Sequence, residues 1–178
     1  MLKSNTSLQI LVLARNRVRE SGAYYIAEAL EHNSSLRTLD LSFNDIGPEG
    51  ASILGEALQE NSTLQELWLV CNGLGATGTA ALAESLSSNT GLSTLSLESN
   101  AITDSGAISL AEMLRTNTGL KKLFLRRNTL SGTGRAELVH GLQSNSTVIM
   151  LEVDIRDHNL DFLLARNQRL AGGVPGEP

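Results

Sequence analysis

Apolar and polar positions follow a pattern along this chain that recurs every 28 residues. Each unit opens with L-x-x-L-x-L-x-x-N or a close variant of it. The first apolar positions of the six units are Leu8, Leu36, Leu64, Leu92, Leu120 and Val148. The closing asparagines are Asn16, Asn44, Asn72, Asn100 and Asn128. A fixed period of this length is typical of a solenoid, in which each repeat contacts only its neighbours.

The first half of each unit predicts a short strand. Leu39 and Leu41, for example, are two positions apart and point to the same side of a strand, while the residues between them point to the other side. The asparagine that follows lies where the chain leaves the strand. We expect its amide to bond loop backbone groups and the neighbouring unit in the stack.

The second half of each unit predicts a helix. Leu82, Ala83 and Leu86 have the i, i+1, i+4 spacing of one apolar face, and Pro48 suits a first helical turn. We expect N-terminal caps at Ser21, Thr77 and Ser105. We expect left-handed helix stops at Asn33, Asn61, Asn89, Asn117 and Asn145. Helices are wider than strands, about 10 Å against about 4.8 Å, so a parallel stack bends with its sheet on the concave face.

The segment SLRTLDLSFNDIGPEGASILGEALQENSTL resembles the ribonuclease-inhibitor-like class of leucine-rich repeats. That class includes the repeat domains of NOD-like receptors, the Ran GTPase-activating protein and tropomodulin. The resemblance covers residues 2 to about 155. It implies an α/β leucine-rich-repeat solenoid, a right-handed horseshoe with a parallel sheet on the concave face, helices on the convex face and a C-terminal capping helix. It implies little about function.

We expect a single domain of about six repeats over residues 1–171 and a flexible tail over 172–178. Residues 2–7 match the end of a helix whose start is absent, so the first repeat is predicted to be open. Missing N-terminal repeats or a second copy of the chain would then cover it. At the other end Arg156 replaces the asparagine of the pattern. Residues 156–171 are predicted to form the cap, with a short helix over FLLARNQRL.

Charge divides the chain more clearly than the net value of −5 suggests. Between Thr38 and Leu114 there are ten acidic residues and no Lys or Arg, and all 14 basic residues lie outside this stretch. This is either a solvated acidic surface or a field that orients a partner. A nucleic-acid binder would need a continuous basic stripe, and no apolar run is long enough for a membrane span. Cys71 is the only cysteine, which favours a reducing, cytoplasmic location.

Several apparent motifs are explained by the repeat. Gly73 to Gly78 match the dinucleotide fingerprint G-x-G-x-x-G, but Gly78 belongs to a glycine column of the units, and such a sheet lacks the crevice that these cofactors use. His32, His140 and His158 occupy three different columns, so we expect no metal site. No Ser/His/Asp or Cys/His set converges. We therefore expect no cofactor and no enzymatic activity.

The outward positions of the strands are the candidate binding surface. Trp68 and Phe124 share one column, about 10 Å apart, with Ser96 between them leaving a shallow slot. We predict that a protein or peptide places an apolar anchor in this slot and its acidic end against Arg126 and Arg127. The alternative is a surface that binds no partner and carries scattered apolar residues. The predicted binding residues are Asp40, Phe43, Glu66, Trp68, Ser96, Glu98, Lys122, Phe124, Arg126 and Arg127.

The resemblance leaves three function classes. The leading one is a non-catalytic interaction scaffold, forming the C-terminal repeat region of a larger intracellular protein. A second is a regulator of a small GTPase, although the tail GGVPGEP is not the acidic tail typical of that family. A third is an actin-filament capping module, since tropomodulin also ends a short repeat array with a helix.

Overall fold

Strands of three residues alternate with helices over residues 2–154 and 157–172, the part of the chain that the computed structural model describes. The strands are β1 (Ile10–Val12), β2 (Thr38–Asp40), β3 (Glu66–Trp68), β4 (Thr94–Ser96), β5 (Lys122–Phe124) and β6 (Met150–Glu152). The helices are α1 (Arg19–Leu30), α2 (Gly47–Glu60), α3 (Gly75–Leu86), α4 (Asp104–Thr116), α5 (Gly132–Ser144) and α6 (His158–Leu170). A single turn of 3-10 helix, Leu2–Ser4, precedes β1.

The strands form one parallel sheet in sequence order, from β1 to β6. Each residue pairs with the residue one repeat later, as Leu39 does with Leu67 and Leu67 with Leu95. These leucines are buried against the helices, so the intervening side chains line the other, concave face. The predicted α/β horseshoe with a C-terminal helix is confirmed. Arg156 and most of the predicted tail, from residue 173, lie outside the described residues.

Small residues let neighbouring helices pack closely. A Cβ atom on Gly78 would lie 2.8 Å from the Cα of Pro48, which explains why this column holds glycine. Gly73 and Gly75 have φ angles of +69° and +59°, and a Cβ on either would meet nothing within 4 Å. The apparent dinucleotide fingerprint therefore consists of two turn glycines and one packing glycine.

One row of asparagines, the strand-end ladder, joins the repeats where the chain leaves the sheet. Its members are Asn16, Asn44, Asn72, Asn100 and Asn128. The Oδ1 of Asn44 accepts from the backbone N–H groups of Asn16 and Val18, at 2.8 and 3.1 Å. Its Nδ2 donates to the carbonyls of Leu13 and Leu41, at 2.8 and 2.9 Å. The predicted role of these asparagines, bonding the loop and the neighbouring unit, is confirmed.

A second row, the helix-end ladder, follows the helices. Its members are Asn33, Asn61, Asn89, Asn117 and Asn145. Asn61 Nδ2 donates to the carbonyls of Leu30 and Asn33 in the preceding repeat, at 2.7 and 3.0 Å, and its Oδ1 accepts from the N–H of Leu64 at 2.8 Å. The predicted left-handed stop is wrong here, because Asn61 has φ −86° and ψ 113°. The amide needs an extended backbone to reach both repeats.

The predicted N-caps are also wrong. Ser21, Thr77 and Ser105 lie inside their helices, which begin one or two residues earlier. Helices α1 to α3 each begin with a residue of positive φ, and the residue before it already has helical backbone angles. No side chain is therefore placed to cap these helices. Side-chain caps are present at Ser131 and Asp157, where the backbone before the helix is extended.

Arg166 of α6 closes the helix-end ladder. Asn145 donates to the carbonyls of Leu114 and Asn117, 31 and 28 positions earlier. The equivalent carbonyls one repeat later belong to Leu142 and Asn145, and Arg166 Nη2 donates to both of them. The guanidinium of Arg166 thus donates to the carbonyls of the last repeat the hydrogen bonds that an asparagine amide donates to those of each earlier repeat.

Two neighbouring bonds complete this cap. Arg166 Nη1 donates to the carbonyl of Gln143 at 2.9 Å, and Arg166 Nε donates to Asn167 Oδ1 at 3.0 Å. Asn167 is fully buried, and its Nδ2 donates to the carbonyl of Val148 at 2.8 Å. The cap is therefore held to the last repeat by hydrogen bonds as well as by apolar contacts.

The first repeat, at the other end of the array, is more exposed than the central repeats. The turn Leu2–Ser4 contacts α1, and Lys3 forms an ion pair with Glu28. Ile10 and Val12 are each 62% exposed, unlike the outward residues of the central strands. The open repeat, and its cover by further repeats or by a second copy of the chain, stay predictions.

The strand-end ladder yields a stability prediction. Asn72→Ala removes an Oδ1 that accepts from Asn44 and Ile46 and an Nδ2 that donates to Leu41, leaving buried backbone groups unpaired. We expect a loss of about 2–3 kcal/mol in the free energy of unfolding, measured by urea denaturation. The control Asn16→Ala, in the exposed first repeat, should cost about 1 kcal/mol or less. Equal losses at the two positions would contradict the ladder's role.

The cap yields a second stability prediction. Arg166→Ala leaves the carbonyls of Leu142 and Asn145 without their charged donor, so we expect a loss of about 2–3 kcal/mol and faster hydrogen exchange in α5 and α6. Arg169→Ala, an exposed arginine of the same helix, should change stability by less than about 0.5 kcal/mol. If the Arg166→Ala protein is as stable as the Arg169→Ala protein, the hydrogen bonds of Arg166 do not stabilise the cap.

Candidate functional site

The concave face is covered most completely over β4. Thr94 and Ser96 point out of the sheet, yet they are 6% and 0% exposed. Their register neighbours on β3 and β5 carry longer side chains, Glu66 and Lys122 beside Thr94, and Trp68 and Phe124 beside Ser96. The centre of the face is therefore built from the residues of three neighbouring repeats.

Trp68 and Phe124 stack on each other over this centre. Their ring centroids are 5.8 Å apart and their planes differ by 21°. Both residues pair in register with Ser96, one from each side, so their backbones are two strand spacings apart, about 9.6 Å. The rings lean together because the residue between them is small, because the face is concave and because parallel aromatic rings attract. The predicted open slot is wrong: the two rings fill it.

Ser96 lies beneath the stacked rings. Its hydroxyl is buried and has no hydrogen-bond partner among the residues that the structure describes. In this closed arrangement Ser96 cannot contact a binding partner, although the sequence placed it in the binding set. Its burial follows from the stacking of Trp68 and Phe124, which the strand spacing alone does not predict.

Carboxylates lie on β2, on β3 and just after β4. Asp40 is the register partner of Trp68 and accepts from the N–H of Ser42 at 2.8 Å. Glu66 accepts weakly from the hydroxyl of Thr38, at 3.5 Å, and Glu98 is half-buried two residues after Ser96. Across residues 2–154 and 157–172, none of Asp40, Glu66 and Glu98 forms an ion pair with a basic side chain.

The basic side chains lie toward β6 and are not equivalent. Arg126 forms an ion pair with Glu152 at 3.1 Å, so its charge is already balanced. Arg127 has φ +58°, and its backbone N–H donates to the carboxylate of Asp154 at 2.8 and 2.9 Å. Lys122 is exposed at the start of β5. The adjacent arginines of the predicted site therefore occupy two different environments.

Phe43 belongs to a separate contact at the rim. Its φ is +59°, and it is 40% exposed at the end of β2. The guanidinium of Arg15 lies over its ring, 4.1 Å from the centroid. The sequence prediction missed Arg15 as a partner. The signal was present, because Arg15 and Phe43 are in the same column one repeat apart.

Other polar groups lie outside the stacked pair and the charges around it. The Ser131 hydroxyl and the Ser131 backbone N–H both donate to the Asp104 carboxylate at the start of α4. These bonds, the hydroxyl's first in size, hold the pKa of that carboxyl below its usual range. Cys71 is a free, exposed thiol after β3. No three His, Cys, Asp or Glu side chains of the described residues lie close enough to hold a metal ion. None of the described helices is long and apolar enough to cross a membrane.

The solved structures that share this fold include the following two. One is Leiomodin-1 Actin-Binding Site 2; at 16% identity the match covers 96% of this chain and 87% of that one, with a TM-score of 0.61. The other is the tropomodulin C-terminal domain of Caenorhabditis elegans, at 13% identity, covering 96% and 91%, with a TM-score of 0.63. At these identities the likeness concerns the fold alone.

Sequence comparison gives the family. No curated protein matches the chain. The model of the Leucine Rich repeat matches four successive segments, residues 4–27, 32–55, 60–83 and 88–111. These segments cover more than half of the 178 residues and coincide with the repeating unit of strand and helix. The chain therefore belongs to the leucine-rich repeat family.

Proposed function

We propose that this domain is a non-catalytic scaffold that binds a protein or peptide on its concave face. The observation that carries the proposal is the stacked pair of Trp68 and Phe124. Both rings are half-buried on a face whose other side already supplies a complete leucine core. Stability of the core does not require large aromatic residues there.

Large aromatic residues suit the centre of an interface. Trp and Tyr are enriched among interface hot spots, where truncation to alanine costs about 2 kcal/mol or more. Trp68 and Phe124 together present apolar ring surface at the centre of the face. A partner that contacts the rings would remove this surface from water.

The charges give the bound partner a direction. Asp40 and Glu66 lie on one side of the stack, and Lys122 and Arg127 lie on the other. A partner with a basic segment over Asp40 and Glu66 and an acidic segment over Lys122 and Arg127 would match this field. Complementary charges of this kind raise association rates and select one orientation.

Actin is the first partner to test. The leiomodin-1 domain is named as an actin-binding site, and it shares the present fold along almost the whole chain. The proposal for this chain rests on fold alone, so it stands second to the general scaffold. Regulation of a small GTPase has no such support. A cytoplasmic location stays a prediction based on the single, unpaired Cys71.

The double variant Trp68→Ala/Phe124→Ala tests the concave face. We expect it to bind partners at least about tenfold more weakly than the wild type, because hot-spot aromatics contribute about 2 kcal/mol or more. The measurement is quantitative capture of proteins by the immobilised domain, together with co-sedimentation with filamentous actin.

The matched control is Tyr24→Ala/Tyr25→Ala, which removes two exposed aromatic residues from α1 on the convex side. Circular dichroism must show both double variants folded at the assay temperature. If the concave variant retains every partner at wild-type affinity, the concave face is not the binding surface. If both double variants still bind actin as the wild type does, actin does not bind to the concave face.

A further inference from the structure

We propose that the stacked rings of Trp68 and Phe124 open to admit one arginine side chain of the partner protein. The guanidinium lies between the two rings and donates a hydrogen bond to the hydroxyl of Ser96. This inference rests on the proposed function, since it places the partner on the concave face, and it names the chemistry that the face recognises.

The spacing of the strands allows a third plane between the rings. Three stacked planes at contact distances of about 3.5–4.0 Å need about 7–8 Å between the outer two. The rings of Trp68 and Phe124 are 5.8 Å apart, and their backbones are separated by about 9.6 Å. Side-chain rotations that increase the distance between the two ring centres by about 2 Å are therefore sufficient, with no movement of the sheet.

The orphaned hydroxyl of Ser96 indicates what the inserted group must carry. Buried polar groups in proteins are nearly always hydrogen-bonded, and an unpaired one destabilises the arrangement that buries it. Ser96 faces the gap between the rings, in register with Trp68 and Phe124. A planar group with an N–H donor at its tip would pair this oxygen, whereas a hydrocarbon tip such as that of phenylalanine would leave it unpaired.

The charges around the gap favour a cation. Asp40, Glu66 and Glu98 are unpaired by any basic side chain of the described residues. Lys122 and Arg127 oppose them from the β6 side, while Arg126 is neutralised by its ion pair with Glu152 at 3.1 Å. The three carboxylates outnumber these two opposing cations.

Arginine fits this combination better than the other side chains. Its guanidinium is planar, always charged, stacks on aromatic faces and presents several N–H donors. Lysine has the charge without the plane, and tyrosine has the plane and a donor without the charge. Cation–π attraction to two rings at once adds to the stacking.

The test uses N-acetylarginine amide as the probe and Trp68 as the reporter, since it is the only tryptophan in the chain. Saturable quenching of its fluorescence in the millimolar range is the expected result. The matched probes are N-acetyl-lysine amide, which has no planar group, and N-acetyl-citrulline amide, which is planar and neutral. Both should bind at least about fivefold more weakly. Equal binding of citrulline, or no saturable response to arginine, would overturn the inference.

Ser96→Ala separates recognition from packing. The variant should raise the midpoint of urea unfolding of the free domain, because it removes a buried hydroxyl without a partner, and should weaken the arginine probe at least about threefold. The control Thr94→Val removes a second hydroxyl of β4 that does not lie between the two rings. It should leave the affinity for arginine unchanged.

The two proposals fail in different ways. If Ser96→Ala binds arginine as the wild type does, Ser96 is only a spacer and this inference is wrong. The scaffold proposal survives that result as long as Trp68→Ala/Phe124→Ala still loses its protein partners. If the double variant keeps its partners, the scaffold proposal fails, whatever the arginine probe shows.

Discussion

The fold depends on hydrogen bonds that each repeat can complete only with its neighbour. Burial of leucine supplies most of the favourable free energy, but it is not directional and does not define a register. The asparagine amides do define one, because donor and acceptor must meet at about 3 Å in a suitable direction. Asn44 and Asn61 each join groups of two successive repeats. A shift of one residue would leave these buried groups unpaired, so the ladders hold every column of the concave face in line.

This register explains which features the sequence predicts well. The period of 28 residues is sufficient for the parallel sheet, the helical outer layer and the columns that face outward, because all of these repeat. It fails where a feature depends on one side chain meeting another across repeats. The stacking of Trp68 on Phe124 depends on side-chain rotation over a small residue, and Ser96 is buried only as a result. Arg166 does not follow the period at all, since α6 brings it to the ladder from a different position.

The concave face combines a well-paired backbone with a centre that holds an unpaired hydroxyl. Backbone groups around β4 are paired on both sides by parallel strands, so the platform has little freedom to move. The rings above it hold each other by stacking, and the hydroxyl below them has no partner among the described residues. Closure therefore gains ring contact and loses a hydrogen bond. The two effects are of similar size, about 0.5–1.5 kcal/mol for ring stacking and about 1–3 kcal/mol for an unpaired buried hydroxyl, so the opening that we propose would cost little free energy.

The distance between the two aromatic rings is set by the number of repeats that separate them. One intervening strand gives about 9.6 Å between backbones, within the reach of two leaning side chains. An array lengthened by one whole repeat outside the span from β3 to β5 would keep this geometry, since every amide would still find its neighbour. A repeat inserted inside that span would increase the separation to about 14 Å and divide the pair into two isolated rings. In this family, then, gaining or losing one unit can create or abolish a site without changing any of its residues.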